Sequence, residues 1–264
     1  MDGSFDMSTK PKRIVFKFGT GILTRPDTNT IDDGQIKRLS AEVAALARQG
    51  HECLIVSSGA VGAGLMVLGR SERPCELIAV QACAAVGQGH LMKMYGRAFD
   101  EYGLHVAQLL LTHSDLDSHI RHTNAGNTLE WLLRQGDVVP IINENDSVAV
   151  EELRFGDNDQ LSAEVARMVK ADLLVLLTTA HGLMNGDRVV PEVRDVDAVL
   201  DFVQPTKGKY SIGGMASKLQ AVKKALRAGI RTVIATGRQP GVIDAVVHGD
   251  PHTGTRFYPS GGEG

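Results

Sequence analysis

Two clusters of acids and amides, Asn143-Glu144-Asn145-Asp146 and Gly156-Asp157-Asn158-Asp159, lie close together in the chain. Carboxylates at that density suit a ligand's ammonium group, a lysine or a metal ion, and asparagine adds both a donor and an acceptor. The same residue types also make turns and helix caps, and taken singly each of them could do only that. Two lysines stand at complementary places. Lys17 lies inside the apolar run Ile14 to Phe18, next to Gly19-Thr20-Gly21, while Lys218 follows Gly213-Gly214-Met215. A cation beside a glycine-rich turn is what a phosphate group needs, although Lys17 could equally bury its stem at a strand end and send its ammonium to the surface.

The elements that must position these groups follow from periodicity. Val138 to Ile142 is a short β-branched run that reads as a buried strand, so the first acidic cluster emerges at its carboxyl end, where open α/β sheets bind ligands. Leu161, Val165, Met168 and Val169 recur at helical spacing, which puts Asp157 and Asp159 near a helix start. The segment 148–155 between the clusters reads as a hairpin. Further strands are expected at 14–18, 53–56, 106–111, 172–177 and 231–235, and helices at 32–49, 123–135, 219–228 and 242–247. A long helical region over 74–102 is expected to break at Gly87-Gln88-Gly89. Ser57-Ser58-Gly59-Ala60 at the end of the second strand suits a carboxylate through hydroxyls and backbone N–H groups, or else is a glycine-rich packing turn. Recurrent strand–helix order implies a mostly parallel sheet covered on both faces.

Composition narrows the partners. A net charge of -3 over 264 residues leaves no basic footprint for nucleic acid. The polar start of the chain and the short apolar runs predict no membrane segment. Three cysteines, Cys53, Cys75 and Cys83, show no metal-type pairing and fit a reducing, cytoplasmic setting. His119 and His122 lack an acidic or thiol third ligand nearby, so no metal site held by the protein itself is expected. Small molecules and further copies of the chain are the expected partners.

Taken together, Lys17 with Gly19-Thr20, Val56-Ser57-Ser58-Gly59-Ala60, Val139 to Asp146, Gly156 to Asp159, and Gly213-Gly214-Met215 with Lys218 resemble the amino-acid kinase family. The resemblance runs from Arg13 to Gly254, and the acidic stretch is most similar to that of members acting on glutamate. It implies an αβα sandwich with two lobes in one domain. The domain spans 13–258, with a substrate lobe over about 13–170 and a nucleotide lobe over about 171–258, between disordered ends at 1–12 and 259–264. It also implies ATP-dependent phosphorylation of the γ-carboxylate of L-glutamate, Mg²⁺ carried with ATP, proline as an inhibitor, and a homo-oligomer, dimer or tetramer. Carried over by position, Lys17, Lys218 and Asp159 take catalytic roles. Ser58, Gly59, Asn143, Asp146, Asp157 and Asn158 take the substrate, and Gly19, Thr178, Thr179, Ile212, Gly213, Gly214 and Met215 join the two lysines around the nucleotide. Two departures stand out. Similar members end the fifth strand in Thr-Asp where this chain has Thr178-Thr179, and read Gly-Thr-Gly-Gly-Met where it has Ser211-Ile212-Gly213-Gly214-Met215. Another substrate of the same family, N-acetylglutamate, aspartate, carbamate or a nucleoside monophosphate, is the rival enzymatic reading, and a catalytically silent sensor the rival from another class.

Overall fold

The structure is a computed structural model that describes residues 12–148, 158–202 and 214–259. Asp157, Ile212, Gly213 and residues 149–155 of the expected hairpin lie outside the described residues. The strands are β1 (Arg13–Phe18), β2 (Glu52–Val56), β3 (His105–Leu111), β4 (Val138–Glu144), β5 (Leu173–Thr178), β6 (Met184–Asn185), β7 (Arg188–Val189), β8 (Glu192–Val193), β9 (Arg231–Thr236) and β10 (Thr255–Phe257). Eight of them form one sheet in the order β3-β4-β2-β1-β5-β9-β10-β8, while β6 and β7 pair separately. All neighbours in the large sheet are parallel except β9 and β10, which run antiparallel. The β10 strand was not expected from the sequence, because Thr255-Arg256-Phe257 is too short to display an alternation.

Alternate residues of β1 serve opposite faces, as a two-residue period requires. Ile14, Phe16 and Phe18 point into one core with Ile36, Leu39 and Val43 of α2 (Asp33–Arg48) and Leu91, Tyr95 and Phe99 of α4 (Leu77–Asp100). Val15 points into the other, with Leu129 of α6 (His119–Leu133), Val165 of α7 (Asn158–Met168) and Val222 of α8 (Met215–Arg227). The sheet is therefore covered on both sides, giving three layers. The α2 helix starts as its sequence suggests, with the Asp32 side chain accepting from the Gln35 N–H, and its end is marked by Gly50 at φ 91°.

The smaller helices are α1 (Thr20–Leu23), α3 (Ala60–Val67), α5 (His113–Asp117) and α9 (Val242–Val247). One expectation is corrected here: α4 runs unbroken through Gly87-Gln88-Gly89. Packing overrides propensity at this point. A Cβ on Gly87 would lie 1.8 Å from the Ala60 carbonyl oxygen, and one on Gly64 would lie 1.9 Å from that of Cys83. These glycines let the backbones of α3 and α4 touch. Among the described residues, no helix is long and apolar enough to cross a membrane.

Candidate active site

Lys17 shares its β1 face with the core residue Val15, and it is only 5% exposed. An ammonium at that depth needs a counter-charge. Its Nζ is 2.5 Å from Oδ1 of Asp159, which is completely buried in the first turn of α7. The other carboxylate oxygen of Asp159 accepts from Nζ of Lys218, 2.9 Å away in the first turn of α8. One carboxylate at a helix start thus gathers two lysines, one from a strand end and one from a second helix start. With two ammonium groups around one carboxylate the cluster has a net positive charge, and helix N-termini add to it. The arrangement is complementary to an anion.

The residue beside Asp159 extends the cluster toward the sheet. Asn158 donates through Nδ2 to the Ser57 carbonyl, to Ser58 Oγ at 3.2 Å and to Asn143 Oδ1 at 2.8 Å. This ties the start of α7 to the carboxyl ends of β2 and β4. Ser57 is locked from below. Its N–H donates to the Ile142 carbonyl, and its hydroxyl shares a 2.8 Å hydrogen bond with Tyr95, whose phenol is driven further from ionisation by burial. Gly59 turns the chain from β2 into α3 at φ 95°, a left-handed conformation that strongly favours glycine. Asn143, 2% exposed, passes the network on by donating to Gln88 Oε1 at 2.8 Å.

Asp146 makes none of these contacts. With Glu144 it lines a cavity of about 310 Å³, together with Ala84, Gln88 and Gly89 of α4 and Gln108 of β3. Loss of hydration there pushes the Asp146 carboxyl up to about 6, against the opposing charge of Arg73.

On the nucleotide side the structure places five of the expected residues. The Gly19 N–H is spent on the Leu177 carbonyl at 3.3 Å, extending the sheet, and a Cβ there would lie 3.5 Å from Lys17 Nζ. Thr178 ends β5 and accepts from the Gly237 N–H at 2.8 Å. Thr179 is exposed, and a Cβ on Gly21 would be 3.1 Å from its methyl group. Gly214 caps α8 and Met215 opens it. Among the described residues no three histidine, cysteine or carboxylate groups converge as a metal site would require.

The structure therefore brings Lys17, Asp159 and Lys218 together, and joins Ser58, Asn143 and Asn158 beside them. Sequence reasoning missed Ser57 and Tyr95 as the support below the site and Gln88 as the end of its amide network. Gln88 did leave a signal: it stands four residues after Ala84, a polar amide on an alanine and glycine face.

A sequence model of the Amino acid kinase family matches residues 12–236. A glutamate 5-kinase of Moorella thermoacetica is 46% identical over 259 residues, 95% of this chain and 68% of the relative. One from a Geobacter species is 44% identical over 264 residues, 97% of this chain and 70% of the relative. Among solved structures, the UMP kinase of Bacillus anthracis superposes with a TM-score of 0.63 at 14% identity, covering 95% of this chain and 98% of that one, which is a likeness of fold alone. With a family match that takes in every strand from β1 to β9, and relatives this similar over nearly its whole length, the chain belongs to the amino acid kinase family.

Proposed function

We propose that this protein transfers the γ-phosphoryl group of ATP to the γ-carboxylate of L-glutamate, giving L-glutamyl 5-phosphate and ADP, the first step of proline biosynthesis. The observation that carries the reading is the buried Lys17–Asp159–Lys218 cluster at the carboxyl end of β1. A carboxylate with a pKa of about 4.3 is ionised at neutral pH, so this nucleophile needs no general base. The difficulty is repulsion between two anions. Two fixed ammonium groups at the transferring phosphoryl oppose that repulsion, and Asp159 holds them in place so that little reorganisation is needed during transfer.

Around this centre, Ser58, Gly59, Asn143, Asn158 and Asp146 are assigned to glutamate, with Asp157 beside them in the sequence. The nucleotide is assigned to Gly19, Thr178, Thr179, Gly214, Met215 and both lysines, with Ile212 and Gly213 leading into the same turn. The substrate lobe is 13–170 and the nucleotide lobe 171–258. Asp159 is taken up by two lysines, so its donor set does not fit a metal held by the protein; Mg²⁺ would arrive on the phosphates of ATP. The buried thiols of Cys53 and Cys83 suit a cytoplasmic location.

Proline carries glutamate's α-carboxylate and a cationic α-nitrogen but no γ-carboxylate. It should occupy the cavity of Glu144 and Asp146 and compete with glutamate, raising its apparent KM at unchanged kcat; inhibition that saturating glutamate does not relieve would place proline elsewhere. The reaction itself is tested by trapping the acyl phosphate with hydroxylamine, using glutamate, aspartate and N-acetylglutamate in parallel. Hydroxamate from glutamate alone is expected, and a larger yield from either of the others would overturn the substrate assignment.

A further inference from the structure

The amide network leading away from Asp159 has a fixed direction. The Glu144 N–H, which can only donate, bonds the side-chain atom of Asn143 at 2.9 Å, so that atom is the oxygen Oδ1. The Ser57 carbonyl, which can only accept, independently makes the bonded atom of Asn158 its nitrogen, and this nitrogen also donates to Asn143 Oδ1 at 2.8 Å. Both anchors are backbone groups and both agree. Asn143 must then present Nδ2 to its neighbour, and Gln88 must receive it with Oε1 at 2.8 Å. By elimination the amide nitrogen of Gln88 faces away from the network. Nε2 is buried and has no hydrogen-bond partner among the described residues, although Gln88 lines the cavity shared with Glu144 and Asp146. A buried amide donor left unpaired is costly, which points to an acceptor supplied from outside the chain. The terminal torsion of glutamine has a broad well, so a small rotation that keeps Oε1 on Asn143 can aim Nε2 at a ligand in the cavity.

We propose that Gln88 is a substrate-binding residue whose Nε2 donates to the α-carboxylate of the amino-acid substrate. The proposal rests on the reading of this site as one for glutamate and ATP, and adds the group that recognises the far end of glutamate. Order along the network decides which carboxylate it takes. Asn158 adjoins Asp159 and the lysines, where the transferred group must be; Gln88 is at the opposite end, two side chains further on. The cavity there offers carboxylates at Glu144 and Asp146 for an α-ammonium, and among the described residues none of its lining groups accepts from Nε2, which leaves that donor to an entering α-carboxylate.

The test is a specificity exchange. Q88E retains an oxygen to accept from Asn143 but replaces the donor with an anion, and it is assayed with glutamate and with glutamate α-amide, which keeps the γ-carboxylate. In the wild type, glutamate should have the lower KM. Q88E should raise the glutamate KM by about 10–100-fold, the scale of a hydrogen bond to a charged group, and leave the ATP KM within about two-fold. The ratio of the two amino-acid KM values should move at least about ten-fold toward the α-amide, whose NH₂ can donate to the new carboxylate. A role confined to holding Asn143 would leave that ratio unchanged, and an unchanged ratio overturns the proposal. If Q88E does not fold, Q88A carries the same test, with the ratio moving toward one. If the wild type forms no acyl phosphate from glutamate, the reading of the reaction fails separately. Gln88 is then judged by calorimetric titration of glutamate and its α-amide into wild type and Q88A, where equal affinity ratios overturn its assignment.

Discussion

Asp159 decides how its two lysines respond to substitution. In Lys17→Ala or Lys218→Ala the remaining ammonium still neutralises the carboxylate, so each variant should fold while kcat falls by about 10²–10³, as expected when one electrostatic donor to a transferring group is removed. Asp159→Ala differs in kind because it strands two buried cations, and a loss of about 3–5 kcal/mol in urea unfolding is expected. Near wild-type turnover in either lysine variant, or unchanged stability in Asp159→Ala, would refute this division of roles. Asp146 adds a pH dependence. Its carboxyl is raised to about 6, so below that value it is protonated and offers no charge to an ammonium, while above it the charge is present. The glutamate KM should therefore fall as pH rises through about 6 and level off about one unit higher. The terminal phosphate of ATP also titrates near neutrality, so the readout is the difference from Asp146→Asn, in which this limb disappears. At this scale the charged groups were legible in the sequence because burying them without a partner is costly and their types are rare inside cores. Ser57 and Tyr95 were not, since a serine–tyrosine hydrogen bond across distant elements has no local pattern.

The α3–α4 pair shows why elements were harder to read than residues. A glycine is visible in a sequence, but the backbone that requires it is not. Gly87 and Gly89 read alike as helix breakers, yet only Gly87 meets another chain segment; nothing lies within 4 Å of a Cβ on Gly89. Opposite outcomes follow. Gly64→Ala and Gly87→Ala should each destabilise by at least about 1–3 kcal/mol, because the carbonyls of Cys83 and Ala60 cannot give way without moving a helix. Gly89→Ala should leave stability unchanged or raise it by up to about 1 kcal/mol, from helix propensity alone. Urea midpoints of the three variants check this, and a loss in Gly89→Ala comparable to the other two would show that α4 is not close-packed as described. The strands β1 to β5 and β9 were legible within a residue or two from their apolar runs, and the amphipathic helix α2 because period, cap and stop agree there. By contrast, α6 begins earlier than its hydrophobic pattern suggests, at His119, because the Ser118 side chain caps it ahead of the first apolar repeat.

For the whole molecule, two cores on the faces of one parallel sheet account for nearly all the large apolar side chains, which makes the exceptions informative. Met66, Val67 and Leu68 at the end of α3 and Leu77, Ile78 and Val86 on α4 are all more than a third exposed, Ile78 to 79%. Single exposed apolar residues need no account, but a group drawn from two adjoining helices is the kind of surface that associates. A closed two-fold pair would set this patch against its own copy, so each substitution enters the interface twice. Ile78→Glu then brings two carboxylates toward the two-fold axis and takes them out of water. The wild type should sediment as a dimer or larger species at micromolar concentration, and Ile78→Glu should shift it toward the monomer at unchanged thermal stability of the fold. The site is built from β1, β2, β4, α4, α7 and α8 of one chain, so kcat should survive dissociation. If Ile78→Glu sediments as the wild type does, the copies meet elsewhere; if kcat falls with dissociation, a neighbouring copy supports the site.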